Sequence, residues 1–133
     1  MKPERTHVVV VNDDPAFLEL MADVLHDERF PATVIDGDRD DAVDLVRASD
    51  PDLLIIDLRL GREELHGWEV LNEIRRDPSL SELPTIICSG DVEAMASVAD
   101  AMREMPRVET LLKPFSIDAL VSRIEHLASR EPT

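Results

Sequence analysis

The chain has 133 residues, which is the length of a single domain and too short for two full domains. Hydrophobic residues make up 44% of the chain, enough for one core. Its formal net charge of −15 disfavours direct nucleic-acid binding, because such proteins neutralise phosphates with lysine and arginine. One cysteine, Cys88, excludes an internal disulfide, and no apolar run reaches the ~18 residues of a membrane span. We therefore expect a cytoplasmic domain that binds neither membrane nor, directly, nucleic acid.

Five short apolar runs follow one another along the chain. Each is rich in β-branched or other aliphatic residues and ends at a polar residue or a turn signal, as strands buried on both faces do. We predict strands at Val8–Val11, Ala32–Ile35, Leu53–Ile56, Pro84–Cys88 and Val108–Leu112.

Helical patterns, with apolar residues every three or four positions, separate these runs. Asp14 and Ser116 are predicted N-caps of the first and last helices, and Pro15 fits a first helical turn. Five helices are predicted: Pro15–Asp27, about 42–48, a helix containing Trp68 to Ile74, Val92–Met105, and a last helix containing Ile117 to Leu127.

The alternation of five strands with five helices predicts the fold class. Every connection between successive strands contains a helix, which favours a parallel sheet covered on both faces by right-handed crossovers. We predict one doubly wound α/β domain over residues 1–133, ordered over about 7–128, with no second, output domain.

Polar residues follow the predicted strands where ligands of open parallel sheets bind. Asn12-Asp13-Asp14 follows the first strand, Asp57 the third, Ser89 the fourth and Lys113 the fifth. Clustered carboxylates repel one another and need a compensating cation. A hard divalent ion is the natural candidate, since Mg²⁺ prefers one or two carboxylates with carbonyl, water and phosphate oxygens.

Four segments, in this order, resemble the receiver domains of bacterial two-component response regulators. The resemblance covers about residues 7–128 and implies a flavodoxin-like sheet with strand order 2-1-3-4-5. The matching segments are Val8–Pro15, Pro51–Leu58, Pro84–Gly90 and Leu111–Phe115.

The resemblance implies a chemical role for residues at the ends of these segments. Asp57 would accept a phosphoryl group from phosphohistidine, and Ser89 and Lys113 would contact the phosphoryl oxygens. The peptide bond between Lys113 and Pro114 would be cis.

The same resemblance implies a bound Mg²⁺. Asp13, Asp57 and the backbone carbonyl of Arg59 would be its ligands, and Asn12 would contact metal-bound water. Because Asn12 stands where the family usually has an acid, we expect a reduced affinity for Mg²⁺.

Other departures from the family pattern affect the loops and the output. Gly61 replaces a common proline in a longer loop, which predicts greater mobility, and Thr110 replaces an aromatic residue that takes part in switching. Arg59 and Asp91 stand two residues beyond Asp57 and Ser89, beside the route of an attacking water. We predict that Arg59, or its pairing with Asp91, slows hydrolysis of a phosphoaspartate.

The leading hypothesis is a stand-alone receiver that signals through the face of the fourth helix, the fifth strand and the last helix. It would catalyse at most its own phosphorylation and slow dephosphorylation, with a histidine kinase or phosphotransfer protein as donor and another protein as target. The alternative is a pseudo-receiver that binds proteins without efficient phosphorylation, and homodimerisation on activation is left open. A phosphohydrolase is disfavoured, since Arg59 stands where such enzymes place a second acid.

Overall fold

A computed structural model describes residues 6–60 and 66–129. Its strands, β1 to β5 in chain order, are Val8–Asn12, Ala32–Asp36, Leu53–Asp57, Thr85–Ser89 and Val108–Leu112. They form one parallel sheet in the order β2-β1-β3-β4-β5. The predicted fold class and strand order are confirmed, and every strand lies within one residue of its predicted bounds.

Helices connect the strands and cover both faces of the sheet. In the described ranges, α1 to α6 are Pro15–Asp27, Ala42–Ala48, His66–Arg75, Val92–Ser97, Ala99–Arg103 and Ile117–Ser129, with a short 3₁₀ turn at Pro78–Leu80. The predicted N-caps are confirmed, because Asp14 accepts the Ala16 N–H at 3.0 Å and Ser116 accepts the Ala119 N–H at 3.0 Å. None of these described helices is both long and apolar enough to cross a membrane.

The prediction of one helix over Val92–Met105 is wrong, because α4 and α5 are separate helices. The break is at Val98, whose backbone leaves the helical region with φ −111° and ψ 8°. Its N–H bonds the Met95 carbonyl, three residues back, and the hydroxyl of Ser97 donates to the Ala94 carbonyl at 2.7 Å. Such a side-chain bond competes with the regular backbone hydrogen bonds of a helix, and the spacing of apolar residues gives no sign of it.

The central strands carry alternate side chains into two separate cores, one on each face of the sheet, where composition alone had suggested a single core. One core packs against α1 and α6, and the other against the helices α2 to α4. Since both faces of the sheet are covered, the strands form a rigid support whose carboxyl ends open to solvent at one edge. The residues of the three central strands, β1, β3 and β4, that face the first core are Val8, Val10, Leu53, Ile55, Ile86 and Cys88; those that face the second are Val9, Val11, Leu54, Ile56 and Ile87.

Candidate functional site

The carboxyl ends of four neighbouring strands bring the predicted polar residues to one edge of the sheet. β1 ends at Asn12, β3 at Asp57 and β4 at Ser89, while Lys113 directly follows β5. Asn12, Asp57 and Ser89 are only 2%, 9% and 1% exposed. Buried polar groups need partners, and most of these residues find them in one another.

The carboxylate of Asp57 is held by donors on both of its oxygens. Its Oδ2 lies 2.5 Å from Nζ of Lys113 and 3.4 Å from Nδ2 of Asn12, which donates to it. Its Oδ1 accepts the backbone N–H of Arg59 at 2.9 Å. An ammonium ion and two neutral donors thus offset the cost of burying this negative charge.

Lys113 reaches this carboxylate from the segment that follows β5. Its backbone N–H donates to the Ser89 carbonyl at 2.9 Å, which ties the segment to the end of β4. The bond between Lys113 and Pro114 is cis, as the resemblance implied. On its other side, Nζ of Lys113 lies 4.5 Å from the ring centroid of Phe17, within the range of a cation–π interaction.

Ser89 faces the loop that leads into α4. Its hydroxyl oxygen accepts the backbone N–H of Asp91 at 3.0 Å, and its carbonyl accepts the N–H of Lys113. A serine hydroxyl can both donate and accept, so this oxygen retains a hydrogen to donate elsewhere. Ser89 therefore stands between the loop before α4 and the lysine that binds Asp57.

Two residues beyond the ends of β3 and β4, Arg59 and Asp91 form an ion pair. Nη2 of Arg59 lies 3.2 Å from Oδ2 of Asp91, while Oδ1 of Asp91 caps α4 by accepting the Ala94 N–H at 2.9 Å. The Ala94 N–H and the Arg59 guanidinium both lower the pKa of Asp91 from its ordinary value. The pairing proposed from the sequence is thus present, although Gly61 and the rest of residues 61–65 lie outside the described residues.

The remaining predicted ligand, Asp13, lies one residue past the end of β1 and is half-buried. Its neighbour Asn12 directs its amide nitrogen to Asp57, while its amide oxygen accepts the Asp14 N–H at 2.9 Å. An amide oxygen has two lone pairs, so one is left to accept a hydrogen bond from a water.

The donor set of this edge fits Mg²⁺ better than a softer metal. Among the described residues, no group of three or more His, Cys, Asp or Glu side chains is arranged to hold a metal. The acids at this edge are Asp57, at the end of β3, and Asp13, one residue past the end of β1, and the side-chain amide of Asn12 contacts Asp57. Mg²⁺ keeps several waters and uses only one or two carboxylates, so this number of acids is sufficient for it.

Two residues at this edge were missed as site residues. They are Phe17, in the first turn of α1, and Gly67, in the first turn of α3. A Cβ on Gly67 would lie 1.7 Å from the carbonyl oxygen of Asp57, and its own N–H donates to the Leu58 carbonyl at 2.7 Å. Only a glycine lets the start of α3 approach the backbone of β3 so closely.

Cys88 is next to the site but takes no part in its chemistry. The side chain lies on β4 and is 1% exposed. Burial is the main cause that raises the pKa of its thiol to about 12, so the group stays protonated and unreactive near neutral pH.

Comparison with known proteins assigns the family. Residues 8–125 match the sequence profile of the response regulator receiver domain. The chain belongs to this family. Receiver domains are signalling domains, and the suspected resemblance and its strand order are both confirmed.

Relatives of this receiver include longer regulators. The DNA-binding response regulator MtrA of Mycolicibacterium smegmatis is 32% identical over 124 residues, which cover 93% of this chain and 51% of MtrA. The nitrogen assimilation regulatory protein NtrX of Azorhizobium caulinodans is 32% identical over 114 residues, 86% of this chain and 24% of NtrX. The chain thus spans about half of the first relative and about a quarter of the second.

Solved receiver structures share the fold. A crystal structure of NtrX from Brucella abortus matches with a TM-score of 0.75 at 27% identity, over 92% of this chain and 27% of that one. The chemotaxis response regulator CheY4 of Vibrio cholerae matches with a TM-score of 0.77 at 15% identity, over 92% of this chain and 98% of that one. At that identity the second likeness shows the fold alone.

Proposed function

We propose that this receiver takes a phosphoryl group from phosphohistidine onto Asp57. The observation that carries the proposal is the 2.5 Å contact between the Asp57 carboxylate and Nζ of Lys113 at the carboxyl edge of the sheet. A buried carboxylate beside a fixed ammonium can attack phosphorus while the ammonium offsets the charge that develops.

The transfer balances without a separate base. An oxygen of the ionised Asp57 forms a new bond to phosphorus as the phosphorus–nitrogen bond of the phosphohistidine breaks, which gives an acyl phosphate. The electron pair of the broken bond returns to the leaving imidazole, which takes a proton from water. Lys113 and the hydroxyl of Ser89 then donate to the equatorial oxygens of the phosphoryl group.

Mg²⁺ belongs to the same proposal. When bound, it supplies positive charge to the phosphoryl oxygens. Asp13, Asp57 and the backbone carbonyl of Arg59 would hold it, and Asn12 would contact its water. Because Asn12 is neutral, we expect the affinity to be lower than in receivers with an acid at this position.

Signalling would leave the site through Ser89 and the loop before α4. When Ser89 donates its hydroxyl hydrogen to a phosphoryl oxygen, its side chain would move towards Asp57 and draw with it the loop whose Asp91 N–H donates to Ser89 at 3.0 Å. The face of α4, α5, β5 and α6 beside this loop would carry the output. Thr110, which stands where many receivers have an aromatic side chain, lines a cavity of about 450 Å³ there, so we expect the coupling to differ in detail.

The partners follow from this role and stay predictions. The donor would be a histidine kinase or a histidine phosphotransfer protein, and the target another protein. The longer relatives include DNA-binding regulators, so the stand-alone arrangement, the lack of direct nucleic-acid binding and homodimerisation on activation are untested.

Acetyl phosphate with Mg²⁺, read by intact mass, tests the proposal. We expect wild type to gain one phosphoryl group, and Asp57→Ala or a sample without Mg²⁺ to gain none. No gain on the folded wild type would favour the pseudo-receiver, to which Asn12 and Thr110 point. Multiple turnover of a phosphoester would instead indicate a phosphohydrolase.

A further inference from the structure

We infer that Phe17 is a positioning residue for Lys113 in phosphoryl transfer; this inference rests on the function proposed above. Phe17 touches neither Asp57 nor a phosphoryl group in this proposal. It acts through the lysine that does.

The ammonium of Lys113 lies between a carboxylate and an aromatic ring. Nζ is 2.5 Å from Oδ2 of Asp57 and 4.5 Å from the centroid of the Phe17 ring. The face of a phenyl ring attracts a cation through its quadrupole, and the attraction is greater where water is partly excluded. The side chain of Lys113 is 29% exposed and that of Asp57 is 11% exposed, so water is partly excluded here.

Phe17 is well suited to hold a flexible side chain, because its own support is rigid. It lies in the first turn of α1, where Asp14 caps the helix and the Leu18 N–H donates to the Asp14 carbonyl at 3.0 Å. A lysine ammonium, by contrast, stands on a flexible four-carbon stem. The ring thus narrows the positions that Nζ can take near Asp57.

A role as core filler explains Phe17 less well. The ring packs against the edge of the core formed by α1 and α6, but it is only half-buried and lines an open apolar groove of about 530 Å³, together with Leu20 and Phe115. A leucine would supply similar apolar contact along such a groove. What leucine lacks is the π face that Lys113 covers.

The ring face also leaves the lysine free for chemistry. An ammonium has three N–H donors, and a phenyl ring carries no oxygen or nitrogen to compete for them. The donors therefore remain available for Asp57 before transfer and for phosphoryl oxygens after it. A carboxylate in place of the ring would instead draw the ammonium away.

The chain offers a direct spectroscopic test, because Lys113 and Lys2 are its two lysines. Protein labelled with ¹³C-lysine should give two Cε–Hε signals, and Lys2→Arg assigns that of Lys113. We expect the Hε protons of Lys113 to be shifted upfield by the ring. Phe17→Leu and Phe17→Met should abolish that shift, Phe17→Tyr should retain it, and Phe30→Leu, a loss of a buried ring elsewhere, should leave it unchanged.

The rate of phosphorylation by acetyl phosphate tests the function of the contact. We expect Phe17→Leu and Phe17→Met to be slower than wild type by about two- to fivefold, and Phe17→Tyr to be close to wild type. The matched loss of a ring in Phe30→Leu should not slow the reaction, whatever it does to stability.

The inference is overturned if Phe17→Leu loses the upfield shift of the Lys113 Hε protons but is phosphorylated by acetyl phosphate at the wild-type rate. It is also overturned if Phe17→Tyr is as slow as Phe17→Leu, or if the ring shift is absent in wild type. In those cases wild type would still be phosphorylated, and the proposed function would stand. If wild type takes no phosphate, the proposed function fails and the positioning role fails with it.

Discussion

Nζ of Lys113 lies 2.5 Å from Oδ2 of Asp57, although 56 positions separate the two residues in the chain. β3, β4 and β5 are adjacent and parallel, so the end of β3 and the segment after β5 meet at one edge. The charge pair therefore follows from the topology of the sheet. The rest of the site is arranged around it.

Compared with an acid at the same position, Asn12 is expected to weaken Mg²⁺ binding but to stabilise the metal-free protein. Asn12→Asp replaces a donor to Asp57 by a second negative charge, so without metal the free energy of unfolding should fall by about 1–3 kcal/mol. The added charge should tighten Mg²⁺ binding by about tenfold, equivalent to about 1.4 kcal/mol. Urea unfolding and calorimetric titration with Mg²⁺ measure the two effects.

Asn72→Asp is the matched control for that change. Asn72 donates to the Trp68 carbonyl within α3 and is not part of the site, so its replacement should leave Mg²⁺ binding unchanged. An Asn12→Asp protein that is more stable than wild type without metal would contradict the assigned contact with Asp57.

The Arg59–Asp91 ion pair is expected to slow loss of the phosphoryl group. Arg59→Ala keeps the backbone carbonyl proposed as a metal ligand but removes the side chain that pairs with Asp91. We expect the phosphoaspartate to decay faster by about two- to fivefold, the scale set by an exposed ion pair. Decay is measured by intact mass after the phosphodonor is removed.

Arg103→Ala removes an arginine from another exposed ion pair, that with Asp100, on the separate helix α5. It should leave the decay rate unchanged. An unaltered phosphoaspartate lifetime in Arg59→Ala would show that the pair does not shield the site.

Gly67 is expected to be required for the position of Asp57. In Gly67→Ala the new Cβ would lie 1.7 Å from the Asp57 carbonyl oxygen, so the start of α3 or the end of β3 must move. Such overpacking destabilises by about 1–3 kcal/mol, and we expect phosphorylation to slow as well. Gly90→Ala is the matched control, since its nearest contact would be an ordinary 3.7 Å to Cβ of Lys113. Equal stability of the two variants would contradict the close packing at Gly67.

A carboxylate remote from the site should govern part of the acid sensitivity. The pKa of Asp77 is lowered, first by the backbone N–H and hydroxyl of Ser79 and then by the Arg47 guanidinium. A folded-state pKa below the unfolded one, about 3.9, stabilises the protein above that pH, and the stabilisation is lost as pH falls through the folded-state value.

Asp77→Asn should therefore be less stable than wild type near neutral pH, and the difference should shrink as pH falls below about 4. Urea unfolding at several pH values measures this. Asp40→Asn, which removes an exposed carboxylate, is the matched control. A pH-independent difference for Asp77→Asn would contradict the assignment.

Local signals in the sequence were sufficient for much of the fold. Pro15 after the capping residue Asp14 defined the start of α1 to the residue, because capping is decided by neighbouring side chains. The break at Val98 was missed because the regular spacing of apolar residues continues through it. The hydrogen bond of the Ser97 hydroxyl does not change that spacing.

The same division holds for the site. Asp57 and Lys113 could be assigned to one edge because strand ends and sheet order determine their position. Phe17 and Gly67 could not, because their roles depend on how α1 and α3 approach the sheet in three dimensions. Asp91 could be paired with Arg59 because each stands two residues beyond a strand-end residue, Ser89 or Asp57, and β3 and β4 are parallel neighbours.

Locating the phosphoryl group tests the central claim most directly. Wild-type protein treated with acetyl phosphate and Mg²⁺ is reduced with borohydride, which converts a phosphoaspartate to homoserine, and its peptides are sequenced by mass spectrometry. We predict homoserine at position 57 alone, and none when Mg²⁺ is omitted. Modification at another carboxylate, or none in the folded protein, would contradict the assignment of Asp57 as the phosphoacceptor.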